Sequence, residues 1–400
     1  MISIEKSQTK ALIDIIKPRR EKVTPAKFAD LPFIGMEHIE AHTMRLLGTV
    51  PAGTMHSSAN RFYSGDVLYG RLRPYLNKVY MPNFDGLCSA EFIVLPKTDG
   101  IVPDYLKYRL NSYDFVSFAS HLNTGDRPRV DFEELSAFEI FLPSYLEQQR
   151  IVAEIEKQFS RLDEAIANLK RVKANLKRYK AAVLKAAVEG TLIYEQTDDW
   201  EETIIGDVTE LVTKGSSPNW QGFDYIEKGI VFVRSQNVGW GSLDLTETAH
   251  LSPLFNQKEK KSVLKTDDVL LNIVGASIGR AALASQEVEG GNVNQAVAVI
   301  RPLRTYLLPK FLMYYLLSDK AQKLIHSQKV DVARANYNLD QIKKMSLRLP
   351  SMEIQQNIVA EVESRLSVIE AMESVSAINL SRAEHLCQAI LKKAFVGNLA

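Results

Sequence analysis

The chain has 400 residues, of which 46% are apolar, and 49 Lys and Arg stand against 48 Asp and Glu. That length predicts two or three domains of ~100–200 residues each, and the composition excludes wholesale disorder. A net charge of +1 excludes a polybasic nucleic-acid coat, so any nucleic-acid site must come from local charge.

Cys88 and Cys387 lie too far apart in sequence for a disulfide framework or a Cys-rich zinc site. The opening Met1-Ile2-Ser3-Ile4-Glu5-Lys6 carries no apolar signal region, and no run approaches ~18 apolar residues. A cytoplasmic protein without membrane attachment is expected.

Residues 1–143 read as a mixed α/β domain. Strands are expected at Val67 to Tyr69 and Phe92 to Leu95, and an amphipathic helix at Leu106 to Phe118, with Asn111 marking a turn. Two loops carry arginine. Arg71 and Arg73 follow a strand in Tyr69-Gly70-Arg71-Leu72-Arg73-Pro74-Tyr75, and Arg127 and Arg129 sit in Asn123-Thr124-Gly125-Asp126-Arg127-Pro128-Arg129. Arginine is the commonest bidentate reader of guanine, and such loops suit base edges or phosphates. The alternative is ordinary surface arginine. His38 and His42 stand four apart on strand and loop sequence with no third ligand, which argues against a metal site.

Residues 144–190 predict one long helix. No Pro or Gly interrupts Ser144 to Ala187. Apolar residues recur every three or four positions at Ile151, Ile155, Phe159, Leu162, Ile166, Leu169, Val172, Leu176, Tyr179 and Val183. Ser144 and Glu147 form a capping-box pattern, and Gly190 closes the helix. At ~1.5 Å per residue it runs to roughly 60–65 Å, too long for an ordinary core.

Residues 191–350 read as a second α/β domain, with strands at Ile230 to Val233, Val269 to Val274 and Ala296 to Ile300 and a helix at Phe311 to Ser327. Its candidate DNA-contacting residues are Lys214, Ser216, Arg234, Asn237, Arg280, Asn294, Arg334 and Asn336, because asparagine pairs bidentately with adenine. Some of these polar groups are expected to cap turns instead. Gly275-Ala276-Ser277-Ile278-Gly279 matches a nucleophile elbow formally, with Asp319 and His326 or His385 as nominal partners. A hairpin turn leading into Arg280-Ala281-Ala282-Leu283 is the simpler reading. Walker A, amino-methyltransferase and two-metal nuclease signatures are missing from the sequence, which predicts a chain without chemistry of its own.

Residues 351–397 predict a second long helix, and it repeats the first. Leu142-Pro143-Ser144, Gln148-Gln149 and Ile151-Val152-Ala153-Glu154 recur as Leu349-Pro350-Ser351, Gln355-Gln356 and Ile358-Val359-Ala360-Glu361, all at one offset of 207. About a third of the positions in these segments are identical. The domains also correspond, more loosely: Gly65-Asp66-Val67-Leu68 answers Asp267-Asp268-Val269-Leu270, and Phe33 to Ile39 answers Phe232 to Val238. The second helix keeps its stripe at Ile358, Val362, Leu366, Ile369, Ala383, Leu386, Ile390 and Ala394. In its middle Glu373, Ser376 and Asn379 occupy the stripe while Met372, Val375 and Ile378 lie one residue earlier, so the seam must rotate or loosen. The basic run Lys170, Arg171, Lys173, Lys177, Arg178, Lys180 and Lys185 would face Glu361, Glu363, Glu370 and Glu373 in an antiparallel pair. Contact of that run with a phosphate backbone is the other reading.

The two Leu-Pro-Ser…Gln-Gln…Ile-Val-Ala-Glu helix starts and the half-chain duplication resemble the specificity subunit of type I restriction–modification systems. So do Arg234-Ser235-Gln236-Asn237-Val238, Asn292-Val293-Asn294-Gln295-Ala296 and Ala333-Arg334-Ala335-Asn336-Tyr337-Asn338-Leu339. The resemblance covers essentially the whole chain. It implies an α+β fold: two target-recognition domains separated by two long antiparallel helices that form a coiled-coil spacer, related by an internal pseudo-two-fold repeat. Each domain would read one half of an asymmetric bipartite site in double-stranded DNA. Two methyltransferase subunits would dock on the helices, at Gln148, Gln149, Ile151 and Glu154 and at Gln355, Gln356, Ile358 and Glu361, with restriction subunits added for cleavage. AdoMet, ATP and Mg²⁺ would belong to those partners, leaving no cofactor in this chain. The first domain departs from the pattern at its start: the second opens with Trp200 and Gly206-Asp207-Val208, the first only with Ile13-Asp14-Ile15. The rival reading is a coiled-coil scaffold whose domains bind protein and not DNA.

Overall fold

The computed structural model describes residues 8–123, 125–193, 199–327 and 337–395. They fall into two compact units, one of Met1–Lys170 with Ala377–Ala400 and one of Arg171–Ser376. The expected long helices are present as α1 (Tyr145–Glu189) and α2 (Met352–Phe395). The division into units runs through the middle of both helices, not at the ends expected from sequence. The first unit owns the start of α1 and the end of α2; the second owns the remainder.

Each long helix starts as its sequence dictates. The Ser144 hydroxyl accepts the Glu147 N–H at 3.3 Å, and the Ser351 hydroxyl accepts that of Ile354 at 3.4 Å. These bonds satisfy amides that a helix start leaves without partners. At the far end of α1, Gly190 takes φ +77°, which lets the Thr191 and Leu192 amides return to the Ala186 carbonyl.

In the first unit, strand Val67–Gly70 pairs antiparallel with Val79–Tyr80 and Phe92–Leu95. A second, five-stranded sheet holds Pro32–Ile34 parallel to Gly86–Ser89. In the second unit, Val269–Asn272 pairs antiparallel with Ala281–Leu283 and Val297–Pro302, and Ile230–Val233 lies parallel to Asn292–Val293. Equivalent strands therefore make equivalent pairings. Each unit is closed by a two-stranded ribbon: Gln8–Ala11 with Glu139–Leu142, and Glu201–Ile204 with Ser346–Leu349. The Leu12 amide then donates to Phe138 at 2.9 Å and the Ile205 amide to Met345 at 3.0 Å. Ile13-Asp14-Ile15 thus occupies the place of Gly206-Asp207-Val208, although the first unit has no counterpart of buried Trp200.

Two expected helices are each broken in two. Leu106 to Phe118 becomes Pro103–Asn111 and Tyr113–His121, and Phe311 to Ser327 becomes Pro309–Leu317 and Asp319–Ser327. The breaks fall on Ser112 and Ser318, both buried and extended at ψ 150° and 153°. Their hydroxyls bond at 2.6 Å to the carbonyls of Arg109 and Tyr315, a local contact that competes with helical continuation.

The core of the first unit packs Val152 and Ile155 of α1 with Leu391 and Ala394 of α2 against the strands and short helices. That of the second unit packs Val183, Leu184 and Ala187 with Ile358, Val359 and Val362. In mid-α2 the seam loosens without rotating: Ser376 is 8% exposed, while Met372 and Val375 are 51% and 57% exposed. The flanking stripe fixes the rotation of a continuous helix, so a displaced apolar trio cannot turn inward locally. Glu361 pairs with Arg365 on its own helix and Glu363 with Lys310, while Lys180 lines one depression with Glu363 and Glu370.

Candidate nucleic-acid interface

In the second unit four loops converge at one end of the two larger sheets. Gly215 is the point of closest approach: a Cβ there would sit 1.7 Å from the Val293 carbonyl oxygen. The Asn294 amide donates to Val233 at 3.0 Å, which joins that loop to the turn starting at Arg234. The Asn272 amide reaches the Ser235 carbonyl at 2.8 Å, and the Gly279 N–H donates to the Asn272 carbonyl at 2.9 Å. Lys214, Ser216, Arg234, Arg280 and Asn294 are thereby gathered on neighbouring loops. Gly215→Ala should destabilise this unit by about 1–3 kcal/mol, because the added methyl meets backbone that cannot yield. Thermal unfolding checks it.

The polar groups differ in what is left to offer. Lys214 is exposed. The Ser216 hydroxyl accepts from Gln221 at 2.9 Å, and the Asn294 side chain accepts the Ala296 N–H at 3.1 Å. Asn237 departs from expectation. It is 3% exposed, its oxygen accepts the Arg234 N–H at 3.0 Å, and its amide donates to Asp244 and Glu247 carbonyls at 2.9 and 3.0 Å. It shapes the turn and has nothing left for a base. Arg334 and Asn336 lie outside the described residues.

The first unit builds the same turn differently. His38 Nδ1 accepts the Gly35 N–H at 2.9 Å, in the place of Asn237, and Lys78 reaches the Met36 carbonyl at 2.6 Å, in the place of Asn272. His38 is thus spent on its own loop, and no group of three or more metal-ligating side chains occurs among the described residues.

The two arginine loops of this unit lie side by side. Leu72 bridges Arg129, the Arg73 N–H donates to Pro128 at 2.8 Å, and the Val130 N–H to Arg71 at 3.1 Å. Arg73 and Arg127 are exposed, and Arg73 takes the left-handed φ +53°. Arg71 and Arg129 instead flank a cleft of about 450 Å³ shared with Arg19, Arg20, Lys22 and Asn60. Sequence reasoning missed Arg19, Arg20 and Lys22. The cluster Lys17-Pro18-Arg19-Arg20 was the available signal. Arg19 itself is held by Asp66 through bonds of 3.1 and 3.2 Å, so it braces the cleft wall.

The expected docking residues divide sharply. Gln148 is fully buried: its oxygen accepts the Val102 N–H at 2.8 Å and its amide donates to Gly100 and Pro143 at 3.0 and 2.9 Å. Gln355 repeats this with Leu308, Tyr306 and Pro350 at 2.8, 2.8 and 2.9 Å. Each ties the start of a long helix to the start of the short helix beside it. Ile358 is 0% exposed in the core. These three are structural, against expectation. Gln149 and Gln356 are exposed, Ile151, Glu154 and Glu361 partly so. Gln158 and Lys157 hold the Glu154 carboxyl below its ordinary pKa.

The nucleophile-elbow match dissolves. Gly275–Ser277 is a single turn between the antiparallel strands Val269–Asn272 and Ala281–Leu283. Asp319 is paired with Lys323 at 2.6 Å, and His385 bonds the Ser381 carbonyl on its own helix.

A sequence profile described as the type I restriction modification DNA specificity domain matches residues 197–373, which span most of the second unit. The chain is 31% identical over 275 residues to the type I restriction enzyme EcoBI specificity subunit of Escherichia coli, covering 64% of this chain and 58% of that one. The match therefore spans under two thirds of that relative. Two solved chains share the fold. One comes from a study of complex assembly and conformational transition of the type I R-M system (TM-score 0.79, 21% identity, 98% of both chains). The other is the HsdS subunit from Thermoanaerobacter tengcongensis (TM-score 0.66, 22% identity, 98% and 97%). The second unit thus carries a DNA specificity domain. Over these spans the chain is similar to type I restriction–modification specificity subunits, and the scaffold alternative finds no support among these matches.

Proposed function

We propose that the chain is the non-catalytic DNA sequence-specificity subunit of a type I restriction–modification enzyme. Residues 1–143 and 191–350 act as target-recognition domains, each reading one half of an asymmetric bipartite site in double-stranded DNA. The carrying observation is the convergence of four loops bearing Lys214, Arg234, Arg280 and Asn294 in the unit that matches the specificity-domain profile. Such groups suit phosphate contacts for register and base-edge contacts for sequence.

Residues 144–190 and 351–397 form the antiparallel coiled-coil spacer of an internal pseudo-two-fold repeat. Supporting this, one core joins the start of α1 to the end of α2, and the other joins the end of α1 to the start of α2. The spacer fixes the gap between half-sites. Two methyltransferase subunits dock on the helices through Gln149, Gln356 and the partly exposed Ile151, Glu154 and Glu361. Restriction subunits complete the enzyme in the cytoplasm. AdoMet, ATP and Mg²⁺ are held by those partners. No helix among the described residues is long and apolar enough to cross a membrane.

The test is modified-base sequencing of DNA from cells that express this chain with its methyltransferase partner. N6-methyladenine should appear in one asymmetric, bipartite motif and vanish without the chain. A stable complex that adds no methylation would refute the reading.

A further inference from the structure

In the first unit, Arg71 and Arg129 do not reach the cleft as free cations. Arg129 donates from Nε to one oxygen of Glu91 at 3.0 Å and from Nη2 to the other. Arg71 donates from Nη2 to Asp131. The two ion pairs sit on adjacent antiparallel segments, because Leu72 bridges Arg129 and the Val130 N–H bonds the Arg71 carbonyl. All four side chains line the cleft that also holds Lys22 and Asn60.

Stability is a poor account of these pairs. Each pair has one side chain over half exposed (Arg129 55%, Asp131 56%) and one about a quarter exposed (Glu91 26%, Arg71 28%), so water screens both and they add little to folding. What a carboxylate does fix is the direction of a long, rotamer-rich side chain. A guanidinium presents five N–H groups in one plane. With Nε and one Nη2 hydrogen of Arg129 spent on Glu91, the free donors are those of Nη1 and the outer Nη2 hydrogen. That end-on edge is able to meet O6 and N7 of guanine together. The carboxylate also offsets the pull of phosphates, whose contacts carry no sequence information.

We propose that Glu91 and Asp131 are specificity-determining positioning residues. Glu91 holds Arg129 end-on for guanine, Asp131 fixes Nη2 of Arg71, and both carboxylates suppress binding to phosphate, so the half-site read by the first unit contains guanine. The inference rests on the DNA-reading function proposed above.

The test uses the full chain in complex with its methyltransferase partner, and the target duplex found by methylation sequencing. Each guanine in turn is replaced by 7-deazaguanine, which keeps Watson–Crick pairing and lacks N7. The unaltered complex should lose about tenfold in affinity at one or more guanines of a single half-site. Glu91→Gln and, independently, Asp131→Asn should bind unrelated DNA about threefold more tightly, with a steeper salt dependence. In these variants the 7-deazaguanine penalty should shrink to within about twofold. Arg129→Lys, which keeps the charge, should also lose the penalty. If no guanine in either half carries a penalty, or if both carboxylate variants keep it in full, the inference fails while DNA reading stands. An unaltered complex that binds no target defeats the DNA-reading function and this inference with it.

Discussion

Asp268→Ala is expected to destabilise the second unit by roughly 3–5 kcal/mol. Asp268 is 1% exposed and accepts Nε and Nη2 of Arg301, both at 2.7 Å, together with the Lys265 N–H at 2.8 Å. The bond to Asp268 raises the pKa of Arg301 further. Removing the carboxylate strands a guanidinium whose side chain is only 14% exposed and opens the start of strand Val269–Asn272. The cost comes from the abandoned charge more than from the lost pair. Asp268→Leu combined with Arg301→Met should therefore recover most of the loss, to within about 1–2 kcal/mol of the unaltered chain. Urea unfolding followed by fluorescence of Trp200, buried in the same unit, reads both variants. A single variant that costs under about 1 kcal/mol would show the pair to be marginal.

Gln355→Leu should cost about 3 kcal/mol or more, because one buried and two partly buried backbone groups lose their partners at once. The side chain is 0% exposed and spans the Leu308 N–H and the Tyr306 and Pro350 carbonyls. The Leu308 amide opens the helix Pro309–Leu317, so the substitution also frees the start of that helix from α2. Gln356→Ala is the contrasting variant: it should change stability by under about 0.5 kcal/mol, as exposed positions do, yet weaken copurification with the methyltransferase subunit. Thermal unfolding and pull-down, run on both variants, separate the roles of these neighbours. A stable Gln355→Leu chain would return that residue to the docking surface.

The Gln-Gln pairs show what was legible in the sequence and what was not. Their recurrence at a fixed offset marked them as important, but recurrence does not distinguish a structural tie from a docking contact. Only the position of the Val102 and Leu308 amides decides it. The long helices were readable because each has a start signal and an unbroken apolar period; Gly190 also marked the end of α1. The break at Ser318 was not, and that at Ser112 was marked only by the neighbouring Asn111, since serine is tolerated within helices and acts here through a hydroxyl bond visible only in the fold. Strands such as Phe92–Leu95 and Ile230–Val233 fell where β-branched and aromatic runs placed them. The closing ribbons, by contrast, pair segments more than a hundred residues apart and leave no local trace.

At the candidate interface, residue type pointed to loops that the fold brings together, without showing which side chains stay available. Asn237 and His38 fall at corresponding positions of the repeat, but their shared turn-capping task is visible only in the fold. Arg71 and Arg129 were found as arginines, but their carboxylate partners come from separate segments. The pairing with Glu91 spans 38 residues.

The central claim is that two separate readers share one chain. Its most direct test is modified-base sequencing of a chimera in which residues 191–350 come from another specificity subunit of known, different target. The account predicts a motif changed in one half only, with the other half and the intervening gap preserved. A motif altered in both halves, or in neither, would contradict it.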